Sequence, residues 1–330
     1  MAESPKSDVQ KIVLSSVVAV SNHNIISICY EDEILLAGCD AGLLTLWRDV
    51  TEGGKMESLY LGVKDPINCI RCISDHQWLV GCGDTMMLVT LVAGCLQKVN
   101  ALVMPDEINS IDVNEKRTYA GIGDDSGHLT TVDLKTYKVH KRLLKHDNIC
   151  SCVKFRPKSP WSIVTAGLDC MLHLWNFNKG QVLGSVNMAD VKKEEEKSSY
   201  VVNPPLIHSL ALSSDGLIAA AGLENGKIHL YTIGGKGFKF SSLLDAHTRG
   251  VSGLTITPDS KLVSAGNDCQ LNVWKISTAR APGKTLVWLV PQHTTLHTEK
   301  PSSVAVFAQK NRLIVADETD KITLYNWLTS

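Results

Sequence analysis

Apolar and polar residues alternate with a period of two along most of this chain, the signature of half-buried strands. The alternation comes in short runs: Ile25–Cys29, Ile67–Cys72, Ile108–Val113, Ile149–Phe155, Ile207–Leu212, Val251–Ile256 and Val304–Phe307. Turn-forming residues follow them, as in Phe155-Arg156-Pro157, Ser213-Ser214-Asp215-Gly216 and Thr257-Pro258-Asp259. Helical spacing never persists beyond a turn or two, so the pattern predicts an all-β protein.

A second pattern follows each run: a pair of small residues, a polar turn, then an alternating strand ending in an aromatic. The clearest copies are Ala37–Trp47, Thr165–Trp175 and Ser264–Trp274, and weaker ones end at Thr90, Val132, Tyr231 and Tyr325. Ends at 47, 90, 132, 175, 231, 274 and 325 give four of six spacings at 42 or 43 residues. That lies within the roughly 40–45 residues of one four-stranded propeller blade. A sandwich has no reason to repeat its sequence, so the period predicts a seven-bladed β-propeller filling residues 1–330 as one domain. The two longer spacings are assigned to insertions. One is the charged run Lys192–Lys197 within a loop at about 189–203; the other is the polar stretch Gln292–Lys300. After Tyr325 only five residues remain, too few for a turn and an outer strand. The β-prone stretch Val9–Leu14 is therefore expected to supply the outer strand of blade seven and close the ring.

Composition narrows the function. Apolar residues make up 44% of the chain and aromatics 6%, so the core must be largely aliphatic. Thirty-three basic residues balance 34 acidic ones with no basic stripe, which argues against a nucleic-acid partner. No apolar stretch is long enough to span a bilayer, and the first residues lack the order of a signal peptide. The ten cysteines then read as reduced thiols in the cytosol or nucleus.

The repeats resemble the WD-repeat family over essentially the whole chain. In that family a His, a Ser or Thr, an Asp and a Trp form one buried hydrogen-bonded tetrad per blade. The residues that match are His146, Thr165, Asp169 and Trp175 in blade four, and His247, Ser264, Asp268 and Trp274 in blade six. Blades two and three depart from the pattern: they lack the leading His, and Thr90 and Val132 stand where the Trp would be.

Several motifs suggest chemistry and have plainer readings. Cys69-Ile70-Arg71-Cys72 has zinc half-site spacing, but no second pair follows, and the cysteines of a strand three apart face opposite sides. Cys150 and Cys152 read as small apolar packing residues. Gly121-Ile122-Gly123 precedes a strand rather than a helix, so it is a hairpin turn and not a phosphate loop. No nucleophile elbow or convergent carboxylate pair is visible. No catalytic, cofactor or metal residue is therefore assigned. Trp78 and Trp161 occupy matching positions before second strands; core packing is expected, with a partner anchor as the alternative.

What remains is a non-enzymatic scaffold or adaptor for other proteins, monomeric outside its complex. The rivals are a structural subunit of a larger assembly and an enzyme on a propeller frame. Loops beyond the tetrad histidines place Asp147, Asn148 and Arg249 as candidate partner contacts. Some WD-repeat proteins are substrate receptors of cullin-4 RING ubiquitin ligases, and the resemblance implies that role and its linker protein as a partner. Their hallmark is Trp-Asp-x-Arg at the end of a third strand. Here the nearest endings carry Arg48 after Trp47, and Asp133 with Lys135; none is intact, and Lys lacks the planar fork of Arg.

Overall fold

The computed structural model describes residues 10–19, 23–31, 33–48, 56–190, 204–235, 237–281, 284–307 and 311–327. The charged run Lys192–Lys197 lies outside them. Among the described residues there is no α-helix, and no helix long and apolar enough to cross a membrane.

Consecutive strands pair antiparallel into four-stranded blades. Blade one comprises Ile25–Glu31, Ile34–Cys39, Leu43–Arg48 and Met56–Tyr60, and five further blades repeat this order up to Leu296. Blade seven holds Pro301–Phe307, Arg312–Asp317 and Lys321–Trp327. The first strands touch their neighbours in a closed cycle, the seventh meeting the first, so the chain is a seven-bladed β-propeller.

The second strands are buried at nearly every position, on both faces. This is the burial expected of sheets stacked between two others. Seven apolar clusters result, each in the gap between two adjacent blades. The small residues of the repeat have a specific job in these gaps. A Cβ on Gly38 would stand 2.2 Å from Ile67 Cγ2, the first residue of the next blade. Only a residue without a side chain lets the neighbour in so far.

Polar stitches cross the same gaps. Six of the seven first strands begin with a β-bulge, at Ile25/Ser27, Ile67/Cys69, Ile108/Ser110, Ile207/Ser209, Val251/Gly253 and Pro301/Ser303. Short polar side chains at the starts of the first strands reach the next blade. Ser27 Oγ donates to the carbonyl of Ile67 at 2.6 Å, Ser151 Oγ to Ile207 at 2.6 Å and Ser209 Oγ to Val251 at 2.9 Å. Ser302 Oγ donates to Ile25 at 2.8 Å and carries the pattern across the seam between last and first blades.

The N-terminal strand, Gln10–Ala19, is the outer strand of blade seven. It pairs antiparallel with Lys321–Trp327, from Ile12 opposite Trp327 to Ala19 opposite Lys321. Its first residues then pair in parallel with His293 and Thr294 of blade six. That clasp joins the last two blades into one eight-stranded sheet.

Two sequence expectations need correction. The long spacing after Trp274 is not a loop at Gln292–Lys300. Gln270–Ala281 and Lys284–Leu296 form an extended hairpin, in which Trp274 already pairs with Pro291. The added length lies in the apolar stretch beyond Ile276, and the polar residues from Gln292 to Leu296 belong to the outer strand of the blade. Ser241 and Ser242 Oγ donate to the carbonyl of Val287, tying this hairpin to blade five. The second correction concerns blade two. Its residue at the Trp position is Val89, which pairs with Trp78, and not Thr90. A shorter turn at Gly83-Asp84 shifts the third strand by one residue, which exchanges its faces.

Ring closure should be measurable by truncation. A chain beginning at Val17 loses the pairs made by Ile12, Val13, Leu14 and Ser16 and the burial of Ile12. It should be insoluble or melt on the order of 10 °C below the full chain. Melting within a degree or two of the full chain would show that the strand does not hold the ring shut.

Candidate functional site

In each blade the first and third strands run the same way. Residues before the first strand and residues after the second therefore share one face of the ring. Residues after the first and third strands share the opposite face. The polar machinery of blades four and six lies at the first of these, the interblade face.

In blade four, His146 precedes the inner strand and Asp169 follows the second strand. His146 Nδ1 lies 3.0 and 3.1 Å from the two carboxylate oxygens of Asp169, and its Nε2 lies 2.8 Å from Thr165 Oγ1. Trp175 Nε1 donates to the same hydroxyl at 2.9 Å. Since Thr165 accepts from the indole, its own proton goes to Nε2, and Nδ1–H faces the carboxylate. Blade six repeats the geometry: His247 Nδ1 to Asp268 Oδ1 at 2.9 Å, Nε2 to Ser264 Oγ at 2.8 Å, and Trp274 Nε1 to Ser264 Oγ at 2.9 Å. Gly266 is required here, because a Cβ on it would stand 2.3 Å from His247 Nδ1.

The carboxylates also fasten the loops. Asp169 accepts backbone N–H groups from Asp147 and Met171, and Asp268 accepts them from Thr248 and Gln270. Burial raises the pKa of both aspartates, but these N–H donors and the histidines outweigh it and hold both below the usual carboxylate range. Burial also lowers the pKa of His247, more than the facing Asp268 raises it. Donor atoms of His146, Asp169 and His173 lie within 4.8 Å of one another, a spacing that could hold a metal ion. The atoms of the first two are the ones engaged in the network.

A third histidine joins in blade seven, where the sequence pattern gave no tetrad. His297 Nδ1 lies 2.6 Å from Tyr325 Oη and its Nε2 lies 2.9 Å from Asp317 Oδ2. Burial pushes the Tyr325 phenol up to about 12, so it stays protonated and donates to Nδ1. The ring is thus reversed relative to blades four and six. Asp317 stands two positions earlier than the tetrad aspartates, and Val315 replaces the hydroxyl residue. The signal in the sequence was spacing: His297 precedes its aromatic by 28 residues, against 29 and 27 for His146 and His247. Blade three places Asp124 at the same strand end, where it accepts from Ser126 Oγ and His128 N–H.

The exposed candidates fall into two groups that the structure does not bring together. Asp147, Asn148 and Arg249 lie exposed on the interblade face, immediately after the tetrad histidines. Arg48 and Lys135 are exposed at the ends of third strands, on the opposite face. Asp133 caps its own turn by accepting the N–H groups of Lys135 and Thr136. The two tryptophans also part company: Trp78 is 2% exposed within the blade one–two core, and Trp161 is 41% exposed beside Tyr119 and Phe177. Cys72 packs in the blade one–two gap and Cys69 in the blade two–three gap. Both thiols are pushed up to about 12, chiefly by burial, so they are protonated.

The sequence matches the WD domain, G-beta repeat family over residues 134–176 and 238–275, the two stretches that close on Trp175 and Trp274. This chain is a seven-bladed β-propeller that carries WD repeats. It is similar to the WD repeat-containing protein 53 homolog of Dictyostelium discoideum, 24% identical over 290 residues, which cover 79% of this chain and 76% of that protein. It is also similar to the WD repeat-containing protein SL1-17 of Schistosoma mansoni, 27% identical over 172 residues. That match spans 52% of this chain and about half, 51%, of that protein. WD-repeat proteins serve generally as interaction scaffolds.

Two measurements test this polar layer of the propeller. Asp268→Ala leaves His247 and two backbone N–H groups without their acceptor, and should cost on the order of 2–3 kcal/mol. Asp245→Ala, at a side chain 76% exposed, should cost less than about 0.5 kcal/mol. Equal melting temperatures for the two variants would remove the structural role from the network. The second measurement uses pH. Burial holds His173 down to about 4, and an unfolded histidine titrates near about 6.5. Its folded pKa is the lower one, so its contribution is present above pH ~6.5 and is lost as pH falls toward 4. His247 has the same sign. Asn272 fills the matching position in blade six and accepts from Thr294, so His173→Asn suits the site. That variant should lose less melting temperature than wild type between pH 7 and 4.5; parallel decline in both would contradict the assignment.

Proposed function

We propose that this propeller is a non-catalytic adaptor that holds two protein partners at once, one on each face. The observation that carries this reading is the separation of the exposed candidates. Asp147, Asn148 and Arg249 stand on loops that the tetrad carboxylates pin through backbone bonds. Side chains on loops already held still lose little freedom on binding, which favours recognition there. Arg48 and Lys135 stand at third-strand ends on the other face. That is where WD-repeat substrate receptors present the arginine of their Trp-Asp-x-Arg ending to the cullin-4 ligase linker. The finer reading is therefore a substrate receptor of a cullin-4 RING ligase, with substrate on the interblade face and the linker on the opposite one. Arg48 and Lys135 supply positive charge there without the intact motif.

The test is proximity labelling in cells with wild type and two double variants, Asp147→Lys with Arg249→Glu, and Arg48→Glu with Lys135→Glu. All four side chains are exposed, so both variants should melt within a few degrees of wild type. Each should lose a different set of labelled neighbours and retain the other, with the ligase linker in the set lost by the second. Identical labelling in all three would defeat the two-faced adaptor. Loss of the same neighbours in both would leave a single interface and no bridge.

A further inference from the structure

The seven inner strands surround a central channel. Its interior is a cavity of about 210 Å³, lined among others by Arg71, Ser110, Lys154 and Ser303. A second cavity of about 490 Å³ adjoins it at the face opposite the tetrads, and Arg71, Ile28 and Val304 line both.

The groups that face this space are mostly donors. The side chain of Lys154, on the inner strand of blade four, has no hydrogen bond or ion pair among the described residues. Among the described residues, Arg71, on blade two, hydrogen-bonds through its Nε alone, toward the carbonyl of Ile111 at 3.2 Å, with Asp112 Oδ1 3.1 Å from the same atom. Its two terminal nitrogens therefore remain available. Asp112 acts on both cations: its Oδ1 lies 3.1 Å from Arg71 Nε, and its Oδ2 accepts the N–H of Phe155 at 2.7 Å. Ser110 Oγ accepts from Val153 N–H and Ser303 Oγ from Ile28 N–H, which leaves both hydroxyl protons to donate. At the mouth, Glu31 pairs with Arg117 at 3.4 Å, and its charge also acts on Arg71.

We infer that the channel is a binding site for a small oxyanion, a phosphate or carboxylate group, held between Lys154 and Arg71. Two cations and two hydroxyl donors line one cavity, and Asp112 is the carboxylate that acts on both cations. An oxyanion supplies the acceptors that this arrangement lacks, and charge-assisted bonds to it are the strong kind. The cavity has the volume of about seven water molecules, at ~30 Å³ each, enough for an inorganic phosphate or a small organic phosphate or carboxylate. Lys154 is partly buried in the channel wall. Burial first, and the charge of Arg71 second, bring Lys154 down to about 8, even with Asp112 opposing. A bound anion between the two cations would relieve that repulsion. Because the site is independent of either face, it stands or falls apart from the adaptor role.

The experiment uses the purified full chain at pH 7. Sodium phosphate, sodium sulfate and sodium citrate are each titrated against sodium chloride of matched ionic strength, with melting temperature and calorimetry as readouts. Wild type should show saturable stabilisation by at least one oxyanion. Response to phosphate and sulfate identifies a tetrahedral oxyanion, and response to citrate alone identifies a carboxylate. Lys154→Met removes a part-buried charge that has no side-chain hydrogen bond and should melt no lower than wild type, while its anion affinity falls at least about tenfold. Lys154→Arg should retain most of the affinity, and Lys179→Ala, an exposed lysine of the same blade, should behave as wild type. The inference is overturned if no oxyanion stabilises wild type more than chloride does. It is equally overturned if Lys154→Met binds as wild type, or if Lys179→Ala loses binding as Lys154→Met does.

Discussion

Every blade of this molecule depends on contact with two neighbours. A four-stranded sheet of this size presents two apolar faces, and here both are covered by the adjoining blades. No blade has an outside to retreat to, so the stacking can end only by closing on itself. Closure is thus the constraint from which the rest follows. The N-terminal strand meets it by crossing from blade six to blade seven, where Ile12 packs with Val263, Leu313 and Trp327 in the last gap to be filled. Ser302, donating to Ile25, then makes the seam between the chain's two ends a junction like the others.

The same constraint explains why so much of the fold was legible in the sequence. Blades that fill equivalent gaps need equivalent residues, and the need recurs at a fixed period. Glycine or alanine must stand where the next blade's first residue enters, as Gly38 does before Ile67. Legibility failed where backbone geometry changed without a change of residue type. The one-residue shorter turn of blade two left Thr90 looking like the end of its strand, although Val89 has the buried position. The blade six hairpin was hidden because an extended strand has the same alternation as an ordinary one. Polar residues at Gln292–Thr294 look like a loop, yet an outer strand with a solvent-facing side carries the same composition.

The polar network was legible only in its commonest form. In blades four and six the aspartate sits in the turn after the second strand, and the serine or threonine within that strand links His to Trp. Blade seven solves the same problem, a buried imidazole with two nitrogens to satisfy, from a different set of residues. There the phenol of Tyr325 takes the place of hydroxyl and indole together, and Asp317 approaches the opposite nitrogen. In blade one the last residue of the second strand is Cys39, whose Sγ accepts the N–H groups of Ala41 and Leu43. What is shared is the requirement that the orphan N–H groups at a tight turn find an acceptor. Residue identity follows from which acceptor the neighbouring strand leaves room for, and one-dimensional pattern matching does not see that room.

The distribution of polar groups then divides the molecule into regions with different capacities. Between the blades, Ser27, Ser151 and Ser209 spend their hydroxyl protons on backbone carbonyls of the next blade. On the interblade face, the buried carboxylates hold the backbone of the loops, and the side chains beyond them, Asp147 and Arg249, remain unspent. Inside the channel, the inner strands must present one side to a space no blade can fill. Along that side the chain has placed Arg71, Asp112 and Lys154, charges that a purely mechanical hub would not need. An apolar lining would cost less desolvation, since each of these part-buried charges gives up some of its hydration. Their presence is therefore better explained by what they can hold than by what they do for stability.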